Sequence, residues 1–217
     1  MTKITLFEDL FNLVLGKSGS RERPCSLVLV GGCSRVGKSR IAFRLKEELV
    51  KHGVDCLYIC LDAWIVDVEK RNRLSTVLER YEIGRAVDSI IAVLQGNAVS
   101  VPIYDAVGRK RISEDGRKIR PLQNGVVLVE GVVALGIKDL TSIADLKIYV
   151  DVDDDVRRLR LFEFYHNFKG LSEEEANSII NVREIEEVKF IKGTSIFADL
   201  IFENRYDTVL LRNNNES

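Results

Sequence analysis

The chain has 217 residues, 46% of them hydrophobic, enough for one substantial core and too few for a second full domain. Lys and Arg total 32 against 33 Asp and Glu, a formal charge of -1, so no overall basic field gathers nucleic acid or acidic membrane and any anion must be bound locally. Four Cys at 25, 33, 56 and 60 match neither paired zinc spacing nor a disulfide framework, and with only His52 and His166 a His-based metal site or a Ser/His/Asp triad is disfavoured.

In chain order, Leu6, Phe7, Leu10, Phe11, Val14 and Leu15 fall at helical spacing, which predicts an amphipathic helix over Ile4 to Leu15, followed by a polar connector to Pro24. Ser26 to Val30 is a short apolar run ending in Gly31-Gly32, and Ile41, Leu45, Leu49 and Val50 restore the helical period over Lys38 to Lys51. Cys56 to Leu61 reads as a second strand, ending at Asp62, and Val77 to Leu94 as a helix running through Gly84. Val99 to Ile103 is strand-like. The stretch Gly108 to Arg120 centres on Asp115-Gly116, a dipeptide that commonly closes a hairpin.

Val126 to Val129, Leu146 to Val150 and Thr208 to Leu211 supply further strands. Asp155 to Phe168 and Ser172 to Ile191 read as helices, with Ser172 and Glu175 as a capping box. Continuous apolar strands alternating with helices predict a mostly parallel sheet covered on both faces, hence an α/β fold. No apolar run reaches the roughly 18 residues of a membrane span. Met1 to Ile4 shows no secretory leader, so a cytoplasmic protein is expected, without membrane or nucleic-acid partners. Self-association into a homo-oligomer stays open.

Gly32-Cys33-Ser34-Arg35-Val36-Gly37-Lys38-Ser39 satisfies G-x-x-x-x-G-K-[ST] between a predicted strand and a predicted helix. In such a loop the backbone N–H groups turn inward around phosphate oxygens and the helix N-terminus adds partial positive charge. Nucleotide phosphates are therefore expected over Gly32, Ser34, Arg35, Val36, Gly37, Lys38 and Ser39, with Arg40 in the next helical turn; Lys38 would reach the transferred phosphate and Ser39 would hold Mg²⁺. Glu130 ends an apolar strand where open parallel sheets bind ligands, and reads either as a ligand of Mg²⁺ or its water, or as a solvated strand boundary. Asp62 reads equally as a proton acceptor for an attacking hydroxyl or as a helix N-cap.

Several ordered motifs resemble the uridine kinase and phosphoribulokinase family of P-loop kinases. They are the loop at 32 to 39, Asp62-Ala63-Trp64, Val101-Pro102-Ile103-Tyr104-Asp105, Val129-Glu130-Gly131, Val150 to Arg157, Lys169-Gly170 and Ala198-Asp199-Leu200-Ile201. The resemblance implies a single P-loop NTPase domain over 1–217. It would be a three-layer fold with a five-stranded, mostly parallel sheet, an N-terminal helix and connector at 1–24, a β-hairpin insertion at 105–123 and a helical lid at 152–170. It further implies ATP and Mg²⁺ with a small-molecule acceptor, Asp62 and Lys38 in catalysis, Ser39 and Glu130 at the metal, and Tyr104 in the acceptor pocket. Arg157, Arg160 and Lys169 match basic lid positions that clamp phosphates, with Arg160 grouped with the catalytic residues.

Leu161 and Phe164 stand where the family usually carries Arg, and the family's nucleoside-gripping segment has no clear counterpart between Asp67 and Asp88, where Arg71, Arg73, Arg80 and Arg85 appear instead. Arg109 stands where the family has a nucleoside-touching His, with Arg111 close by. Arg there points to an anionic acceptor, and the competing reading is a hairpin kept soluble by its six basic and two acidic residues. A nucleoside acceptor and an anionic sugar or acid both remain open. Two other classes compete: a GTPase-type switch, from Asn204-Arg205-Tyr206-Asp207, and a catalytically silent nucleotide-binding module.

Overall fold

β2 (Cys25–Gly31) and β6 (Gly125–Glu130) are buried along their whole lengths, and their alternate side chains feed two separate cores. Val28, Val30, Val126 and Leu128 face one side of the sheet, while Leu27, Leu29, Val127 and Val129 face the other. Cover on both faces is why these segments are continuously apolar instead of alternating. These features come from a computed structural model that describes residues 2–18, 23–71, 76–106 and 108–205. The expected strand at Thr208 to Leu211 and the Asn213 to Asn215 tail lie outside the described residues.

The described residues form a six-stranded parallel sheet in the order β1-β8-β7-β2-β6-β3, where β1 is Thr2–Ile4, β3 Cys56–Cys60, β7 Leu146–Asp151 and β8 Leu200–Glu203. The sequence predicts five strands. Neither β1 nor β8 is among them: β8 lies upstream of the run expected at Thr208 to Leu211, and β1 pairs Thr2 with Leu200 and Ile4 with Phe202 along the edge of β8. Two of its three residues are β-branched, which suits extended backbone better than the first turn of a helix. The helix expected from Ile4 accordingly starts at Phe7.

On one face, α1 (Phe7–Leu15), α2 (Lys38–Lys51) and α7 (Lys189–Gly193) contribute Leu10, Val14, Ile41, Leu45 and Ile191. The other face is covered by α3 (Ile83–Leu94), α4 (Lys138–Thr141) and the antiparallel pair β4 (Val99–Asp105) and β5 (Lys110–Ile119), through Val87, Ile90, Leu140, Val101 and Ile119. Each fully buried aliphatic side chain here adds about 1.5–3 kcal/mol of transfer free energy. The helix expected over Val77 to Leu94 is split: Leu78–Arg80 forms a short 3₁₀ turn, Tyr81 bridges to Ile65, and α3 begins two residues later.

The hairpin closes elsewhere than at Asp115-Gly116. Tyr104 pairs with Arg111 and Asp105 with Lys110, so the chain reverses between Asp105 and Lys110. There the Gly108 N–H donates to Asp105 Oδ2 at 2.9 Å and Arg109 adopts φ 54°. Val101 pairs with Arg117 and Ile103 with Ser113, which leaves Asp115-Gly116 inside a bulge of β5. A local turn signal has yielded to the register set by Val101 and Ile119, both buried.

After β7 the chain builds a small outlying layer from α5 (Asp154–Glu163), a π-helical turn at Phe164–Phe168 and α6 (Glu173–Arg183). Leu161, Tyr165, Ala176 and Ile180 give it a core of its own. The helix expected over Ser172 to Ile191 is interrupted by a second π turn at Glu184–Val188 before α7. The predicted capping box is present: Ser172 Oγ accepts from the Glu175 N–H at 3.2 Å, and Glu175 Oε2 accepts from the Ser172 N–H at 2.9 Å. Ser172→Ala should cost about 1 kcal/mol of stability in denaturant titrations. Among the described residues no helix is long and apolar enough to cross a membrane.

Candidate active site

The C-terminal ends of β2, β3 and β6 lie side by side, so the segments that follow them converge. After β2, positive φ angles at Gly32 (137°), Arg35 (67°) and Gly37 (97°) fold the loop into a concavity of backbone N–H groups. A Cβ at Gly32 would run into the carbonyl of Val150, so β7 and the loop meet closely there. Cys33 and Val36 are buried beneath the loop, whereas Ser34 is half-buried and Arg35, Ser39 and Arg40 are exposed. Lys38, itself buried, folds its Nζ back to donate to the Cys33 carbonyl at 2.8 Å.

Glu130 ends β6 with its carboxylate buried, and its Oε1 accepts from Ser39 Oγ at 2.9 Å and from the Tyr58 hydroxyl at 2.8 Å. Burial, reinforced by Cys60 and Glu130, pushes the Tyr58 hydroxyl far above its ordinary range, so it remains a donor that fixes Glu130. The Ser39 hydroxyl and the Glu130 carboxylate thus form a pair of hard oxygen groups beside the loop, a donor set that suits Mg²⁺, which takes few protein ligands and otherwise water and phosphate oxygens.

Asp62 sits in the 3₁₀ turn Leu61–Trp64 that follows β3. Its carboxylate is reached by solvent but ringed by protein; this burial, and next the Glu130 charge, raise its pKa, while Lys38 and a hydrogen bond from Tyr81 (3.5 Å) pull the other way. The turn is fastened at Ile65, whose N–H donates to the Asp62 carbonyl at 3.2 Å.

The remaining sequence-nominated residues divide. Arg160 Nη1 donates to the Arg35 carbonyl at 3.3 Å, which ties α5 to the phosphate loop. Lys169 Nζ donates to the Ala106 carbonyl at 3.2 Å and so ties the turn after the π helix to the β4–β5 reversal, where Arg109 lies exposed. The Tyr104 hydroxyl accepts from Arg71 Nη2 at 3.2 Å. Arg157 and Arg111 are committed inward. Arg157 is buried against Asp154 and Glu184, and Arg111, its side chain 8% exposed, pairs with Glu82 (2.9 Å) and Glu114 (3.0 Å). Asn204, part of the guanine-motif look-alike, donates from Nδ2 to the Val36 carbonyl at 2.8 Å and so braces the loop, whereas Tyr206 and Asp207 lie outside the described residues.

Tyr58 and Tyr81 carry no motif, Asn204 belongs only to the guanine-motif look-alike, and Phe164 enters the sequence reading only as a departure, yet the Arg35 guanidinium lies over the Phe164 ring at 3.5 Å. Asn204→Ala should lower stability by about 1–2 kcal/mol, because the Val36 carbonyl stays buried without its donor, and should weaken nucleotide binding in a titration of the same protein.

The chain is similar to known proteins over most of its length. The uridine kinase of Clostridium perfringens (strain 13 / Type A) is 32% identical over 188 residues, covering 83% of this chain and 87% of the relative. That of Staphylococcus haemolyticus is 30% identical over 183 residues, covering 81% and 86%. Among solved structures, a kinase assigned to a fructose transport system from Silicibacter sp. TM1040 superposes with a TM-score of 0.76 at 21% identity, over 92% of this chain and all of that one, a likeness of fold. The phosphoribulokinase / uridine kinase family model matches residues 27–211, and the chain belongs to that family of small-molecule kinases.

Proposed function

We propose that the protein transfers the γ-phosphoryl group of ATP to a hydroxyl of a small metabolite. The observation that carries this reading is the convergence of Lys38, the Ser39–Glu130 pair and Asp62 at neighbouring strand ends, where Asp62 responds to the charges of both Lys38 and Glu130. The loop from Gly32 to Ser39 would cradle the phosphates. Mg²⁺, when bound, would neutralise phosphate charge, and Ser39 and Glu130 are the groups that would hold it.

Asp62 orients the acceptor hydroxyl and takes its proton as the oxygen attacks the γ-phosphorus; the bond to the β-phosphate oxygen breaks and ADP leaves. Lys38, with Arg160 at the loop's carbonyl, holds the phosphates in line. A pure binding module has little use for a carboxylate held in this position.

On the acceptor side, Arg109, Lys169 and the Arg71–Tyr104 pair surround the β4–β5 reversal, which favours an acceptor bearing a carboxylate or phosphate. The uridine kinase relatives favour a nucleoside instead. An ADP-release screen with ATP and Mg²⁺ against uridine, cytidine, hydroxy acids, sugars and sugar phosphates separates the two. Release confined to nucleosides overturns the anionic reading, and no release with any acceptor returns the protein to the silent-module class.

A further inference from the structure

Three cations gather around the aromatic π turn. The Phe164 ring lies 3.5 Å from the Arg35 guanidinium and 5.3 Å from Lys169 Nζ. Tyr165, its ring 5.2 Å from that of Phe164, has the Arg183 guanidinium 5.7 Å from its own centroid. Among the described residues neither Arg35 nor Lys169 has a carboxylate partner at ion-pair distance, so like charges are held together by ring faces. Burial, then Arg109 and Arg183, depress the Lys169 ammonium. Among the described residues Asp105 acts against this repulsion on Lys169, and an added anion would relieve it.

Arg183 also reaches the other half of the site. Its Nη1 stands 3.4 Å from Glu187 Oε2, and Glu187 Oε1 takes Arg80 Nη1 at 2.8 Å. The residue after Arg80 is Tyr81, whose hydroxyl faces Asp62. Arg183 is thus linked through Tyr165 and Phe164 to the loop arginine and through Glu187 and Arg80 to the segment carrying Tyr81, and its charge acts on Arg35, Lys169, Tyr81 and Asp62 alike. A guanidinium carries five donors, and the one carboxylate that pairs with Arg183 among the described residues is shared with Arg80.

We propose that Arg183, at the C-terminal end of α6, binds the phosphoryl group in transit between nucleotide and acceptor. This rests on the kinase reading above. The residue lies outside every motif of the sequence, on the far helix of the outlying layer, and it supplies a fork of donors that a lone ammonium such as Lys169 lacks.

The test is calorimetric titration of the full chain with Mg²⁺ plus ATP and Mg²⁺ plus ADP, for the wild type, Arg183→Met, Arg183→Lys and, as a control for loss of a cation in the same layer, Arg158→Met. Arg183→Met should weaken ATP by about tenfold or more while ADP changes by less than about twofold, with Arg158→Met indifferent to both. Equal weakening of the two nucleotides, or none, overturns the proposal and leaves the kinase reading standing. A wild type that binds neither nucleotide removes both. Should melting show Arg183→Met unfolded, Arg183→Lys decides: a smaller loss confined to ATP supports the role, and an unchanged ATP-to-ADP ratio overturns it.

Discussion

Lys38→Ala is expected to lower phosphotransfer by about 10³-fold or more with the fold intact. In the free protein the ammonium is buried and held by the Cys33 carbonyl at 2.8 Å, a bond inside the loop and not an ion pair. An incoming phosphate oxygen offers that ammonium a charged partner in place of a neutral one, so the exchange favours the bound state, and more so as negative charge spreads over the transferring group. Alanine keeps the first turn of α2, being the strongest helix former, and leaves Ile41 and Leu45 packed beneath the sheet. Steady-state ADP release together with a melting curve checks this. Turnover within about tenfold of wild type in a folded variant would remove Lys38 from the reaction.

Asp62→Asn should reduce turnover by about 10²- to 10⁴-fold while ATP affinity stays within about threefold, because asparagine keeps the shape and loses the proton acceptor. The pH profile adds a second, independent reading. Burial and the Glu130 charge raise the Asp62 pKa, and a base works only when deprotonated, so wild-type turnover should climb with pH through a limb lying above the ordinary aspartate range. The same shift has a stability sign. The folded state holds this proton more tightly than the unfolded chain does, so the contribution favours the fold at low pH and fades as pH rises from the unfolded to the folded value. Asp62→Asn should erase both dependences, and a residual profile still carrying the limb would assign the proton to another group.

Legibility followed the range of the interaction. The phosphate loop could be read because everything that shapes it locally, the glycines at 32 and 37 and the Lys38-Ser39 pair, lies within one strand–turn–helix unit. The places of Asp62 and Glu130 at strand ends could be read because each closes an apolar run, whereas their roles stayed open against an N-cap and a solvated boundary. What braces these groups could not: Tyr58 reaches Glu130 across 72 positions and Asn204 reaches Val36 across 168, and neither the apolar run around Tyr58 nor the guanine-motif look-alike at Asn204 points to that partner.

Arg157 and Arg111 show the same limit from the other side. Both stand at positions where basic residues suit phosphate or acceptor, yet Glu184 and Glu82, remote in sequence, occupy them. Asp115-Gly116 makes the same point for backbone: a turn dipeptide was absorbed into a bulge because the apolar residues flanking it had to reach the core in register.

The pairing of β1 with β8 joins the second residue of the chain to the two-hundredth, and Asn204, just beyond β8, reaches back to the phosphate loop. On a ribosome both contacts must wait until the segment around residues 200–204 has emerged, long after the loop at 32–39 is made. The brace of the loop therefore forms well after the loop's own residues are made. A chain cut short of Asn204 would carry the motif without the brace, so a ligand of the loop would stabilise molecules that have made both contacts in preference to those that have not.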